Sequence, residues 1–195
     1  MKDLLGTMRT KVMNMHTIEQ RQGTLHNWKC PLPASYVQYL VESRYMHAQL
    51  QMAASNIPNI HTFDLVAPLE RDILRISSTF DLPVPDAPKN GPGRVYARVL
   101  QAKSARTPAL LSHWYLIHFA HLSGGSLVGA RVSEALLEGH VPEFYRSHDG
   151  VVLDDIRAQL EKISCEWTEE QQWDFLAEAG PGFYHINKVS QSMFV

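Results

Sequence analysis

Apolar side chains recur along most of this chain at intervals of three and four residues, which is typical of amphipathic helices. Alternation with the period of a β-strand is scarce. The first apolar stripe occupies residues 2–20 and has His16 at its edge. Later stripes predict helices over residues 35–53, 63–80, 94–105, 108–137 and 151–164, and a last helix that opens at the capping-box sequence of residues 168–171.

Proline and glycine separate these predicted helices. Residues 81–93 are rich in both and cannot form a regular element, and the polar residues 138–150 are expected to be irregular. The sequence Gly180-Pro181-Gly182 should bend or split the last helix. The pattern therefore predicts an all-α fold, an irregular bundle of about seven or eight helices.

Composition narrows the classes of protein that this bundle can belong to. A chain of 195 residues with 45% hydrophobic content can bury one sizeable core, so we expect a single domain over residues 1–195. The 18 basic side chains nearly balance the 20 acidic ones, which argues against nucleic acid as a partner. No apolar run approaches the ~20 residues that span a bilayer, so we expect a soluble protein without a membrane span. The 2 cysteines are too few for a disulfide scaffold or a thiolate metal site.

Gly124 and Gly125 lie inside the predicted helix of residues 108–137, where each interior glycine costs roughly 1 kcal/mol relative to alanine. Two interpretations explain them. A flat ligand lying directly against the main chain requires bare backbone, and so does the close approach of another helix. Because Leu127, Val128 and Gly129 continue the helical pattern, a kinked helix that lies on a planar ligand is favoured.

His16 and Arg9 are the candidate ligand-binding side chains of the first helix. Arg9 precedes His16 by seven residues, which returns to nearly the same helix face about 10 Å away. A neutral imidazole is a common axial ligand of heme iron, and a guanidinium pairs well with a carboxylate such as a heme propionate. The alternative is that His16 is a partly buried histidine whose ring nitrogens bond to neighbouring acceptors.

Over residues 8–189 the chain resembles the heme oxygenases, and most of all those of plants and algae. Residues 8–20 resemble the helix that carries the axial ligand of this family, with His16 at the ligand position and Arg9 at a basic position near a propionate. The other matching segments are residues 39–43, 113–125, 155–160 and 166–168. The resemblance implies that Tyr115 lies in the pocket and that Arg157 binds a propionate.

The same resemblance implies roles for His121 and the paired glycines. His121 stands where animal and bacterial members have an aspartate that orders water, and plant-type members similarly carry histidine there. We therefore expect His121, Gly124 and Gly125 to form the catalytic side of the pocket, with His121 organising water and the glycine backbone lying close to the ligand.

The implied reaction is the oxygen-dependent opening of heme b at its α-meso carbon, which releases biliverdin IXα, carbon monoxide and ferrous iron. Heme would be both cofactor and substrate, and electrons would come from outside, since no flavin or nicotinamide motif is present. Similarity to the plastid members implies reduced ferredoxin as the electron donor and the chloroplast stroma as the location.

Two other classes of protein remain open. A non-catalytic heme-binding or scaffold protein could keep this fold without turnover. A di-iron carboxylate oxygenase needs Glu-x-x-His pairs on facing helices. No glutamate in this chain is followed by histidine three positions later, which makes the di-iron class improbable.

Overall fold

The computed structural model describes residues 3–15, 31–61, 63–146 and 153–194. Within these ranges the chain forms α-helices joined by turns and irregular segments, so the predicted all-α fold is confirmed. The helices are α1 (Leu4–Met15), α2 (Pro33–Ala54), α3 (Val66–Thr79), α4 (Pro92–Lys103), α5 (Thr107–Ala120), α6 (Ser126–Leu136), α7 (Glu143–Arg146), α8 (Leu153–Ser164), α9 (Glu169–Ala177) and α10 (Ala179–Gln191). A π-helical segment (His121–Gly125) joins α5 to α6, and a 3-10 turn (Ser192–Phe194) follows α10.

Local sequence signals explain where several helices begin. Helices α2, α4 and α5 each have proline in the first turn, where the missing N–H costs no hydrogen bond. The capping box before α9 is present as predicted. The Thr168 amide donates to Gln171 Oε1 at 2.9 Å, and the Gln171 amide donates to Thr168 Oγ1 at 3.3 Å.

The described part of the chain contains more helices than the seven or eight predicted, for three reasons. The helix expected over residues 108–137 is divided by the π-helical segment. The last helix is split, as the Gly-Pro-Gly sequence predicts, but the break falls at Glu178 and Pro181 then lies in the first turn of α10. The third reason is α7, which lies in a segment expected to be irregular.

Helices α2 and α5 form the centre of the bundle. Every residue of α5 from Pro108 to His118 is buried, which is typical of a helix that is surrounded by others. The side chains of α2 contribute to both hydrophobic clusters of the core: Leu50 and Met46 pack with α5, and Leu40 and Val41 pack with α3. No helix in the described part of the chain is both long and apolar enough to cross a bilayer.

A buried polar network fixes the break between α9 and α10. The carboxylate of Glu178 pairs with Lys103 of α4 and with His113 Nε2 of α5 at 3.1 Å. The other ring nitrogen of His113 is 2.9 Å from the hydroxyl of Tyr96. Burial lowers the pKa of His113, although the neighbouring carboxylate opposes this shift. The network joins polar groups of α4, α5 and the α9–α10 junction and so holds the start of α10 against α4 and α5.

Candidate functional site

A cavity of about 650 Å³ opens between α1, α2, the α5–α6 junction, α7 and α10. Its volume lies within the range of small-molecule sites, ~300–1,000 Å³. Most of its wall is apolar, with Val12, Met46, Leu116, Phe119, Leu127 and Phe183 among the lining residues. Polar side chains reach it from several elements, among them Arg9, His47, His121, Arg131, Tyr145 and Asn187.

The π-helical segment His121–Gly125 forms one wall of this cavity. Single-turn π segments are rare and are found disproportionately at functional sites. Gly124 lines the cavity, and a Cβ atom at this position would meet nothing within 4 Å. The main chain at Gly124 is therefore bare towards open space, as the interpretation of a flat ligand requires.

Gly125 and Gly129 serve close packing instead. A Cβ at Gly125 would lie 3.1 Å from Cδ1 of Tyr145, and a Cβ at Gly129 would lie 2.9 Å from Cβ of the same tyrosine. These two glycines allow α7 to approach the α5–α6 junction. The packing interpretation therefore applies to Gly125, whereas the ligand interpretation stays a prediction, with which the open space at Gly124 is compatible.

His121 lies in an aromatic wall of the cavity. Its ring stacks on Tyr145, with centroids 5.6 Å apart and planes 10° apart, and contacts Phe144 at 4.4 Å. The ring of His47 is 6.3 Å away on the opposite helix α2. The structure places His121, Gly124 and Gly125 together on one side of the cavity.

Three tyrosines gather at this wall, and two of them, Tyr39 and Tyr145, line the cavity. Burial raises the pKa of Tyr36, Tyr39 and Tyr145, and the hydroxyl of Tyr145 is close enough to the other two hydroxyls to affect their pKa values. They are therefore neutral at physiological pH and can both donate and accept hydrogen bonds. Sequence reasoning missed Tyr145, because its segment, residues 138–150, was expected to be irregular.

Arg9 and Arg157, the two arginines assigned to the propionates, differ in their position relative to the cavity. Arg9 lines the cavity from α1, and Tyr115 lines it from α5. Arg157 is not among the described lining residues, but it lies beside two of them. Burial raises the pKa of Tyr115, and the nearby guanidinium of Arg157 opposes this rise. The guanidinium carbon of Arg157 is also 5.9 Å from the centre of the Phe119 ring.

Sequence reasoning missed Arg131, which lines the cavity seven residues after Gly124. The seven-residue spacing, which is about two turns along one helical face, is the sequence signal that could have identified Arg131.

His16 lies outside the described residues, so its assignment as the iron ligand stays a prediction. The described part of α1 nevertheless turns one face to the cavity, since Arg9, Val12 and Met13 line it. These positions follow the three- and four-residue spacing of a single helical stripe. Residue 16 is the next position of that stripe in the sequence.

Asp72 of α3 holds α7 in place against the cavity. Its carboxylate accepts hydrogen bonds from the amide of Glu143 at 3.0 Å and from the amide of Phe144 at 2.8 Å. Unpaired amides at a helix start are stabilised in this way by an acceptor and by its negative charge. Because α7 carries Phe144 and Tyr145 into the cavity wall, Asp72 fixes the surroundings of His121 from a distance.

Burial raises the pKa of Asp72 above that of an exposed aspartate, with the two amides opposing the shift. The folded state therefore takes up a proton here before the unfolded state does, so protonation stabilises the wild type as the pH falls. An Asp72→Asn variant lacks this gain. The quantity to compare is the free energy of unfolding of the wild type minus that of the variant. We expect this difference to be larger at pH 4 than at pH 7 in urea titrations. Asp64→Asn, at an exposed position, is the matched control, and an equal change in both variants would contradict this account.

The fold is that of a heme oxygenase. The crystal structure of heme oxygenase-2 from Synechocystis sp. PCC 6803, in complex with heme and NO, matches this chain with a TM-score of 0.71 and 20% identity, and the match covers 98% of this chain and 84% of that one. In sequence the chain is similar to the chloroplastic heme oxygenase 1 of Arabidopsis thaliana, at 27% identity over 96% of this chain and 73% of the relative. It is also similar to a protein of Oryza sativa subsp. japonica named probable inactive heme oxygenase 2, chloroplastic, at 29% identity over 82% of this chain and 50% of the relative. No protein-family model matches the chain.

Proposed function

We propose that this protein is a heme oxygenase, which uses oxygen and external electrons to convert heme b to biliverdin IXα, carbon monoxide and ferrous iron. The observation that carries the proposal is the cavity between α1 and the α5–α6 junction, with the bare main chain of Gly124 on one side and Arg9 on the other. A porphyrin is flat and apolar with charged propionates at one edge. Apolar walls, a side-chain-free stretch of backbone and a guanidinium fit those three properties.

Each element has a defined role in this proposal. His16 would hold the iron through its imidazole, and Arg9, Arg131 and Arg157 are the guanidinium groups available to the propionates. His121, with Tyr145 behind it, would hold water and supply protons on the Gly124 side of the cavity. The apolar side chains of Phe119 and Leu116 exclude bulk water from the remaining wall. Bound heme supplies the redox-active iron and is itself the molecule that is oxidised.

We propose reduced ferredoxin as the electron donor and the plastid stroma as the location. Support comes from the resemblance of the chain to plant-type heme oxygenases and from relatives that are chloroplastic by name. An acidic electron carrier would dock through local basic groups despite the near balance of charge in the whole chain.

A second candidate function is non-catalytic heme binding. It is favoured by the similarity to a relative named probable inactive, which matches 82% of this chain. The cavity serves both functions equally well, so only turnover separates them.

Hemin titration followed by a turnover assay tests the proposal. We expect a Soret band with the wild type, its loss in His16→Ala, and its retention in the matched control His61→Ala, since His61 is exposed. Ferredoxin, its reductase and oxygen should then yield bilin. A stable heme complex that never yields bilin would favour the binding protein, and no saturable Soret band would overturn both functions.

The propionate role of Arg9 predicts a result that depends on the ligand. In Arg9→Gln we expect the affinity for hemin to fall about tenfold, which corresponds to one lost charge-assisted interaction of ~1.4 kcal/mol. The affinity for hemin dimethyl ester, which has no carboxylates, should change little. An equal loss of affinity for the two ligands would show that Arg9 supports the shape of the cavity instead.

A further inference from the structure

Helix α1 has two functional faces. Arg9, Val12 and Met13 line the cavity. Lys11 and Met15 are four residues apart and therefore share another face, about a third of a turn around the helix from the cavity-lining stripe. The elements that contact this second face decide where the cavity-lining face of α1 points.

The second face of α1 contacts the junction between α9 and α10 at two points. Lys11 Nζ donates to the backbone oxygen of Leu176 at 3.3 Å, as lysines commonly do at the last carbonyls of a helix. The same oxygen accepts from the amide of Glu178. At the start of α10, a Cβ on Gly180 would lie 3.6 Å from Cε of Met15, so the end of α1 lies beside this glycine. Both contact points are two residues from Glu178.

Glu178 attaches this junction to the core of the bundle. Its buried carboxylate pairs with Lys103 of α4 and with His113 of α5. A buried carboxylate is unfavourable unless such partners replace its hydration, so the paired position is strongly preferred. Gly182 adds a close approach, since a Cβ there would lie 2.6 Å from Cδ1 of Leu116 and 3.1 Å from Nδ1 of His113. The junction therefore has little freedom to shift against α4 and α5.

We propose that Glu178 is a positioning residue for the iron ligand, because the α9–α10 junction that it fixes sets where α1 ends. Glu178 is not among the described residues that line the cavity. Met15 directly precedes His16 in the sequence, so a displaced end of α1 also displaces the proposed ligand. This inference rests on the proposed function, since the position of His16 matters only to a ligand that contains iron.

Glu178→Gln, titrated with two porphyrins, tests the proposal. The amide keeps the size of the side chain but loses the charge that pairs with Lys103. We expect the affinity for hemin to fall about tenfold in Soret titrations, as when a residue that orients a metal ligand is lost. Metal-free protoporphyrin IX has the same ring and propionates but forms no bond to an imidazole. Its affinity, measured by fluorescence, should stay within about threefold of wild type.

The matched control is Glu170→Gln, which removes a carboxylate from an exposed position of α9 and should leave both affinities unchanged. Urea titrations identify the conditions under which each variant is fully folded, and the affinities are compared there. Equal losses of affinity for the two porphyrins would overturn the proposal, because a general distortion of the cavity affects both ligands alike. Wild-type affinity for hemin in Glu178→Gln would overturn it as well.

Lys11→Met is the second variant, in case Glu178→Gln does not fold. Lys11 is exposed, so the substitution leaves the core intact and removes only the hydrogen bond to Leu176. We expect the affinity for hemin to fall about threefold, with no change for protoporphyrin IX. Lys162→Met, at an exposed position of α8, is its control. Equal hemin affinities of the two methionine variants would overturn the proposed link between α1 and the junction.

The proposed function fails by a different result. A wild type without a saturable Soret band overturns the proposed function and this inference together. The outcomes given for Glu178→Gln and Lys11→Met overturn the inference alone.

Discussion

Replacing Gly124 with leucine should abolish hemin binding and leave the heme-free protein folded. A Cβ at Gly124 meets nothing within 4 Å, so the new side chain starts in open space on the cavity wall and extends into the space where the ligand would lie. Replacing glycine inside a helical segment should even raise the free energy of unfolding, by up to about 1 kcal/mol. We expect hemin affinity, measured by Soret titration, to fall at least about a hundredfold, which corresponds to ~2.7 kcal/mol.

The control for this variant is Ser126→Leu. Ser126 is exposed, follows the π-helical segment by one residue, and is absent from the cavity wall. This variant adds the same side chain close by and should bind hemin with wild-type affinity. If Gly124→Leu also bound hemin like the wild type, the main chain at Gly124 would not lie against the ligand.

Gly93→Ala should be the most destabilising single-methyl substitution considered for this fold. Helix α4 crosses α2 so closely that a Cβ at Gly93 would lie 2.0 Å from the backbone oxygen of Glu42 and 2.6 Å from its carbonyl carbon. Backbone atoms cannot rotate away as a flexible side chain can. The Gly93 amide also donates to the buried Glu42 Oε2 at 2.7 Å, so a displaced α4 loses this bond. We expect the free energy of unfolding to fall by about 3 kcal/mol or more in urea titrations.

Gly180→Ala is the matched control for Gly93→Ala. A Cβ at Gly180 would lie 3.6 Å from the flexible tip of Met15, which is an ordinary contact. We expect a change in unfolding free energy of less than about 1 kcal/mol for this variant. Equal stability of the two alanine variants would contradict the close crossing of α2 and α4.

Much of the fold follows from periodicity and from the positions of proline. The stripes of α2, α3 and α5 and the capping box of α9 are local signals, and the structure has helices at all of them. Helix α7 could not be predicted in this way. Its start is stabilised by Asp72, which is about seventy residues away in the sequence. The residue pattern of 138–150 does not indicate that contact.

The candidate site was predictable to the extent that single residues signal it. Gly124 stands out because glycine is unfavourable in a helix, and Arg9 because it precedes His16 by seven residues on nearly the same helix face. The distinct role of Gly125 depends on Tyr145, and therefore on α7, so only the structure could separate it from Gly124.

The most direct measurement of the central claim is a crystal structure of the protein with hemin. The account predicts one porphyrin in the 650 Å³ cavity, with its face against the main chain of Gly124, a propionate near Arg9 and the imidazole of His16 on the iron. Hemin bound elsewhere on the protein, or iron ligated by a different residue with Gly124 far from the ring, would contradict it.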